Sequence, residues 1–224
     1  MNLEIEKKKI FKKGAEASLY YGKWFNKDVI FKYRISKKYR LDIIDKKIRN
    51  SRTLNEARAL IKIKNYGINV PCVYEIDPEE SIITMDYIPG EKLKDLISIL
   101  DIQKLEDYFK KVGIFIGILH QNGHIHGDIT TSNILITPNK EVFLIDFGLH
   151  DYSDNIEDKS VDIHLLKRVL ISSHGDYYKI CFKAFLEGYR DCYNESSIEE
   201  CESIILNVDV IETRGRYIKK EERL

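Results

Sequence analysis

His126-Gly127-Asp128-Ile129-Thr130-Thr131-Ser132-Asn133 precedes Asp146-Phe147-Gly148 by a short stretch of chain. The first piece fits the pattern H-x-D-x-x-x-x-N, and the second is a D-F-G triplet. Between them, 134–136 and 142–145 read as short buried strands around Pro138-Asn139. Such a hairpin lets the polar loop and Asp146 converge. Phosphoryl transfer needs a carboxylate beside the incoming hydroxyl and two oxygen ligands for Mg²⁺. Asp128 is the candidate for the first role. Asn133 and Asp146 are the candidate metal ligands, because magnesium favours hard oxygen donors. Alone, Asp146 reads as a turn residue after a strand; the two pieces together, in this order, carry the reading.

Working outward, residues 3–34 read as strands with tight breaks. Leu3 and Ile5, then Ile10 and Phe11, give one strand; 19–24 and 29–33 are aromatic and β-branched. Lys32 lies on the third strand, where it can point toward a nucleotide while its neighbours fill a core. Glu56, in Asn55-Glu56-Ala57-Arg58, is the best helix carboxylate to pair with it; the alternative is that both are solvated surface charges. Apolar residues at 54, 57, 60, 61 and 63 predict a helix over 53–66, stopped at Gly67. Gly14, Ala15, Glu16 and Ala17 sit where a loop covering phosphates belongs, although only Gly14 has free backbone torsions. Glu16 is unusual there, because a carboxylate repels phosphates unless it reaches a metal or a helix.

Residues 73–76 and 82–85 read as two further strands, and Pro89-Gly90 as a hinge. Beyond it the period is helical: 93–100, 105–121, 161–171, 178–193 and 198–208. Asp162 begins the helix after the D-F-G triplet. Two readings stay open for it, a first-turn acid that caps the helix or a group reaching back to the backbone of the 126–133 loop. The tail 212–224 is charged, lacks an apolar stripe, and is expected to be flexible.

The chain has 224 residues, 43% of them apolar, and equal numbers of basic and acidic residues, 36 each. It can bury a real core, and its neutral balance gives no global pull toward nucleic acid or acidic lipid. The segment 36–52 is locally basic, seven positive residues against two negative, and reads either as a binding patch or as a solvated face. The four cysteines form no C-x-x-C pair, which argues for reduced thiols rather than zinc or disulfides. The longest apolar run, 112–119, is too short to span a bilayer. A soluble, cytoplasmic protein is expected, with no membrane partner.

These residues together resemble a known family. Residues 14–17, Lys32-Tyr33-Arg34, the stretch 52–58, the loop 126–133, Asp146-Phe147-Gly148-Leu149, Ser160-Val161-Asp162 and Gly188-Tyr189-Arg190 look like the kinase subunit of the KEOPS (EKC) complex, a PRPK-type atypical Ser/Thr kinase. The resemblance implies an α+β, minimal bilobal protein-kinase-like fold. Its N-lobe, 1–87, would be an antiparallel sheet with one long helix; a reduced helical C-lobe, 88–211, and a basic tail, 212–224, would follow. ATP and Mg²⁺ would be the cofactors. Asp128 would be catalytic, and Gly14, Ala15, Glu16, Ala17, Lys32, Glu56, Asn133 and Asp146 would bind ATP. The partners would be a Kae-type threonylcarbamoyl transferase and the other KEOPS subunits, with tRNA reached indirectly or through the basic patches.

Some residues depart from ordinary kinases. Gly127 replaces the catalytic-loop Arg, and Thr130 a phosphate-contacting Lys. Only 16 positions separate Asp146 from Asp162, too few for a full activation loop. This favours ATPase or regulatory work over broad protein phosphorylation. The rival readings are an aminoglycoside- or choline-type small-molecule kinase, a RIO-type kinase, and a non-catalytic ATP-gated scaffold.

Overall fold

The computed structural model describes residues 10–14 and 16–221, with side chains at 13–14 and 16–214. Leu3, Ile5 and Ala15 lie outside the described residues, as do the side chains of Ile10, Phe11, Arg216, Lys219 and Lys220; Arg223 lies outside them entirely. The chain forms two compact units. The first holds the described residues up to Pro89 together with Phe143–Gly148; the second holds Gly90–Val142 and Leu149–Leu224 as far as described.

In the first unit β1 (Ile10–Lys13), β2 (Ala17–Trp24), β3 (Lys27–Arg34), β4 (Val73–Asp77) and β5 (Ile82–Asp86) form one antiparallel sheet, ordered β1-β2-β3-β5-β4. β3 is central, with Lys32 opposite Leu19 on one side and Ile83 on the other. Helix α1 (Asp42–Asn65) packs on β4 and β5 and buries Ala57, Leu60 and Ile63. It starts well before the predicted residue 53. The first half of α1 carries no apolar stripe, which hid it from a periodicity argument. It is held by polar contacts: Asp42 and Asp45 lie in the first turn, where acids complement the helix dipole. Buried Asp45 accepts from the Lys37 amide at 3.3 Å and from Arg49 Nε at 2.7 Å, and lies 3.5 Å from Arg40. Two of the seven positive side chains of 36–52, Arg40 and Arg49, are therefore used in holding the helix.

In the second unit β6 (Glu91–Lys92) and α2 (Leu93–Leu96) lead to α3 (Ile102–Gln121), whose N-cap, Asp101, accepts from the Lys104 amide at 2.9 Å. β7 (His124–Ile125) follows, then β8 (Ile134–Ile136), which pairs with β6; β9 (Val142–Leu144) carries the chain into the Phe143–Gly148 segment. β10 (Asp151–Tyr152) pairs with β7. The helices α4 (Ile156–Ser173), α5 (Tyr178–Asp191) and α6 (Ile198–Glu221) complete it. Phe109, Phe115, Phe185 and Tyr189 fill the core between α3 and α5. These helices meet at glycines. A β-carbon on Gly188 would overlap the Lys110 carbonyl, and one on Gly113 the Phe185 carbonyl.

Further helix boundaries differ from expectation. α4 starts at Ile156, so Asp162 lies inside it rather than at its first turn. α6 continues through the stretch expected to be a flexible tail from residue 212. The reason is a polar stripe in place of an apolar one. Lys167, largely buried on α4, holds Asp209 and Glu212 at 2.7 Å each. Glu157 accepts from Asn207 at 2.8 Å and from Arg214 at 3.2 Å. Among the described residues, no helix is long and apolar enough to cross a membrane.

Gly188→Ala is expected to cost at least about 2 kcal/mol, because backbone must move to admit the methyl. Thermal unfolding should show a midpoint lower by several degrees. An unchanged midpoint would show that the helices do not meet as closely as drawn.

Candidate active site

In the first unit the alternation of β3 puts Ile30, Lys32 and Arg34 on one face. Lys32 is 5% exposed. Its Nζ donates to Glu56 Oε1 at 2.5 Å and to Asp146 Oδ1 at 2.6 Å. Burial by itself would lower the lysine pKa, but the carboxylates of Glu56 and Asp146 outweigh it and hold the ammonium above its ordinary value. Asp146 has φ +66, in the left-handed region, its side chain half-exposed. Such a backbone costs on the order of 1–3 kcal/mol for a non-glycine residue and is found where the surroundings impose it. Gly148 follows; a β-carbon there would stand 3.2 Å from Asp146 Oδ1 and 3.5 Å from Arg34 Nη2.

Glu16 reaches a helix, which was one of the two ways its charge could be tolerated. Its Oε2 accepts from Arg52 Nη1 of α1 at 2.6 Å and lies 3.9 Å from Arg34 Nη1. The Arg52 hydrogen bond, chiefly, pulls its pKa below the usual carboxylate value. Gly14 closes the loop by donating its amide to the Ala17 carbonyl at 2.9 Å. Arg34, which the sequence reading did not assign a role, donates to Glu56 Oε2 at 2.6 Å. Its signal was available, since i and i+2 on a strand share a face.

In the second unit the 126–133 loop is closed on itself. Asn133 Nδ2 donates to the Asp128 carbonyl at 3.0 Å and to Asp128 Oδ2 at 2.8 Å. The Asn133 amide donates to the Thr130 carbonyl at 2.9 Å. Gly127 has φ +79, and a β-carbon would collide with the Leu149 carbonyl; an arginine has no room in this backbone. Asp162 reaches back to the loop, the second of its two open readings. Fully buried, it accepts from the His126 amide at 2.8 Å and the Gly127 amide at 2.9 Å, and lies 3.3 Å from His120 Nε2. Beneath the loop, His124 Nδ1 and His150 Nε2 are 2.8 Å apart and Tyr152 packs on both rings.

The candidate residues thus fall into two sets. The first unit brings together Lys32, Glu56 and Asp146, with Gly14, Glu16 and Ala17 on the adjoining loop. The second brings together Asp128 and Asn133. The donor chemistry fits a nucleotide and magnesium: a buried cation for phosphate oxygens, and carboxylate and amide oxygens for a hard metal.

Asp162→Asn should preserve shape but turn one acceptor into a donor facing two amides. It is expected to cost about 1.5–3 kcal/mol in stability, the range for hydrogen bonds to a charged group. Chemical denaturation measures this; a wild-type midpoint would show that the clamp contributes nothing. A second expectation concerns pH. Burial, with smaller contributions from His124 and His126, lowers the His150 pKa to about 4. The unfolded chain takes up this proton near pH 6.5 and the folded chain only near 4, so stability is complete above 6.5 and is lost as pH falls toward 4. Partial exposure keeps the effect below about 3 kcal/mol. The melting temperature of His150→Gln should fall less between pH 7 and 4.5 than that of the wild type; parallel curves would remove His150 as the cause.

Comparison with known proteins gives the family. The ABC1 atypical kinase-like domain matches residues 48–180, more than half of the chain. The KEOPS complex subunit Bud32 of Pyrococcus abyssi is 42% identical over 215 residues, covering 93% of this chain and 96% of that protein. The "Probable bifunctional tRNA threonylcarbamoyladenosine biosynthesis protein" of Methanococcus vannielii is 39% identical over 206 residues, and that of Methanocaldococcus jannaschii 37% over 207. Each match covers 92% of this chain, which spans only about a third of those longer relatives (36%). The chain therefore belongs to the atypical kinase-like family, in its Bud32 branch.

Proposed function

We propose that this protein is an ATP- and Mg²⁺-dependent phosphotransferase and ATPase that serves as the kinase subunit of a KEOPS-type complex for threonylcarbamoyladenosine in tRNA. The observation that carries the reading is the buried Lys32 ammonium held between Glu56 and Asp146. Lys32 offers a fixed positive charge to phosphate oxygens. Glu56 fixes its position, and the loop that holds Gly14, Glu16 and Ala17 would cover the phosphates. Asp146 and Asn133 would each offer an oxygen to Mg²⁺, which would supply charge neutralisation at the phosphate oxygens. Asp128 accepts the hydrogen bond of the attacking hydroxyl or water, and Asn133 holds the Asp128 carboxylate in place.

The acceptor is water, or a serine or threonine hydroxyl. Only a short segment joins the D-F-G turn to α4, and part of it is used in β10. Little chain is left to dock a peptide, which supports ATP hydrolysis as the main activity. The Pyrococcus relative is named as a KEOPS subunit; by that likeness the other KEOPS subunits, including a Kae-type transferase, are the partners here. In the bifunctional relatives this region is one part of a longer chain, which supports work beside a second activity.

The test is Mg²⁺-dependent ATP turnover by the chain alone and with a Kae-type transferase, alongside threonylcarbamoyladenosine formed in tRNA. Asp146→Ala and Lys32→Met are expected to lower turnover at least a hundredfold and to reduce the modified nucleoside. Equal turnover in wild type and Asp146→Ala would overturn the assignment.

A further inference from the structure

Arg34 has no place in the phosphotransferase roles above, yet it reaches Glu56, the loop of Glu16 and the D-F-G turn. It is 4% exposed. Its Nη2 donates to Glu56 Oε2 at 2.6 Å and lies 3.5 Å from the Arg52 carbonyl of α1. Its Nη1 is 3.9 Å from Glu16 Oε2 on the phosphate loop. Gly148 of the D-F-G turn lies against it, so close that an added β-carbon would stand 3.5 Å from Nη2. Charges alternate along one connected row: Asp146, Lys32, Glu56, Arg34, Glu16, Arg52.

Stability does not account for this group. Arg34 Nε is buried with no hydrogen-bond partner among the described residues, which costs free energy. Buried ion pairs, moreover, are often no better than apolar packing. What an arginine supplies here is a planar fork that faces two carboxylates at once, which a lysine cannot reproduce.

We propose that Arg34 is a positioning residue that couples the phosphate loop to the Lys32–Glu56 pair. Through Glu56 it keeps Lys32 aligned. Through Glu16, with Arg52, it holds a negative charge on the helix side of the loop and away from the phosphates. Without these partners the Glu16 carboxylate repels the nucleotide that its own loop covers. This rests on reading the first unit as the ATP-binding one.

The experiment uses the full chain and three variants. Arg34→Lys is expected to lower kcat at least tenfold and to raise the KM for ATP. Arg52→Gln should raise KM about fivefold with kcat within twofold, because Glu16 loses its main partner. Glu16→Gln with Arg52→Gln should lower KM at least twofold relative to Arg52→Gln alone, because the repelling charge is gone. Hydrogen exchange without nucleotide should quicken in both 16–18 and 53–57 for Arg34→Lys, and only in 16–18 for Arg52→Gln. Wild-type kcat, KM and exchange in Arg34→Lys overturn the proposal, even with a lowered melting temperature. So does a double variant whose KM is no better than that of Arg52→Gln. If Arg34→Lys does not fold, the other two variants decide. If the wild type turns over no ATP, the phosphotransferase reading fails, while exchange still decides the coupling.

Discussion

A lysine ammonium taken out of water stays charged only beside carboxylates, and Lys32 has two of them within 2.6 Å. Much of the first unit follows from meeting that demand. β3 must be central, paired on both sides, so that Lys32 is buried. α1 must lie where Glu56 can reach it. The segment Phe143–Gly148 must rejoin this unit from far along the chain to deliver Asp146. The left-handed backbone at Asp146 is the local strain accepted for that placement.

The second unit has a matching device of opposite sign. Asp162 is a buried carboxylate whose oxygens are used by two loop amides and approached by His120. It gives the His126 and Gly127 amides of the 126–133 loop their acceptors. That role requires α4 to start before Asp162, and it does, at Ile156. Gly127 belongs to the same solution, since the loop passes the Leu149 carbonyl too closely for any β-carbon. The loss of the usual arginine is thus a consequence of how the shortened segment packs.

Much of this was legible from residue order. The five strands of the first sheet, the helices α3 and α5, and the residues Lys32, Glu56, Asp128, Asn133 and Asp146 were readable because each is a local pattern: period two, period 3.6, or a motif of a few residues. What escaped were features set by charge across distance. The first half of α1 and residues 212–214 of α6 have no apolar stripe; Asp45 ties the former to Lys37 and Arg40, and Lys167 and Glu157 of α4 hold the latter. The two-residue strands β6, β7 and β10 carry too little sequence to announce themselves.

The sequence by itself determined which chemistry is present: a lysine on a strand, a helix carboxylate, an H-x-D-x-x-x-x-N loop and a D-F-G turn. Only the tertiary structure decided what each charge is doing. Glu16 could have been a defect of its loop, Asp162 a helix cap, and Arg34 a surface arginine. The fold makes the first the partner of Arg52, the second a clamp on the 126–133 loop, and the third the junction of two carboxylates. The physical reason is that a charged side chain is defined by the partner it finds, and these partners lie 18 to 36 positions away along the chain. A one-dimensional pattern has no term for that separation.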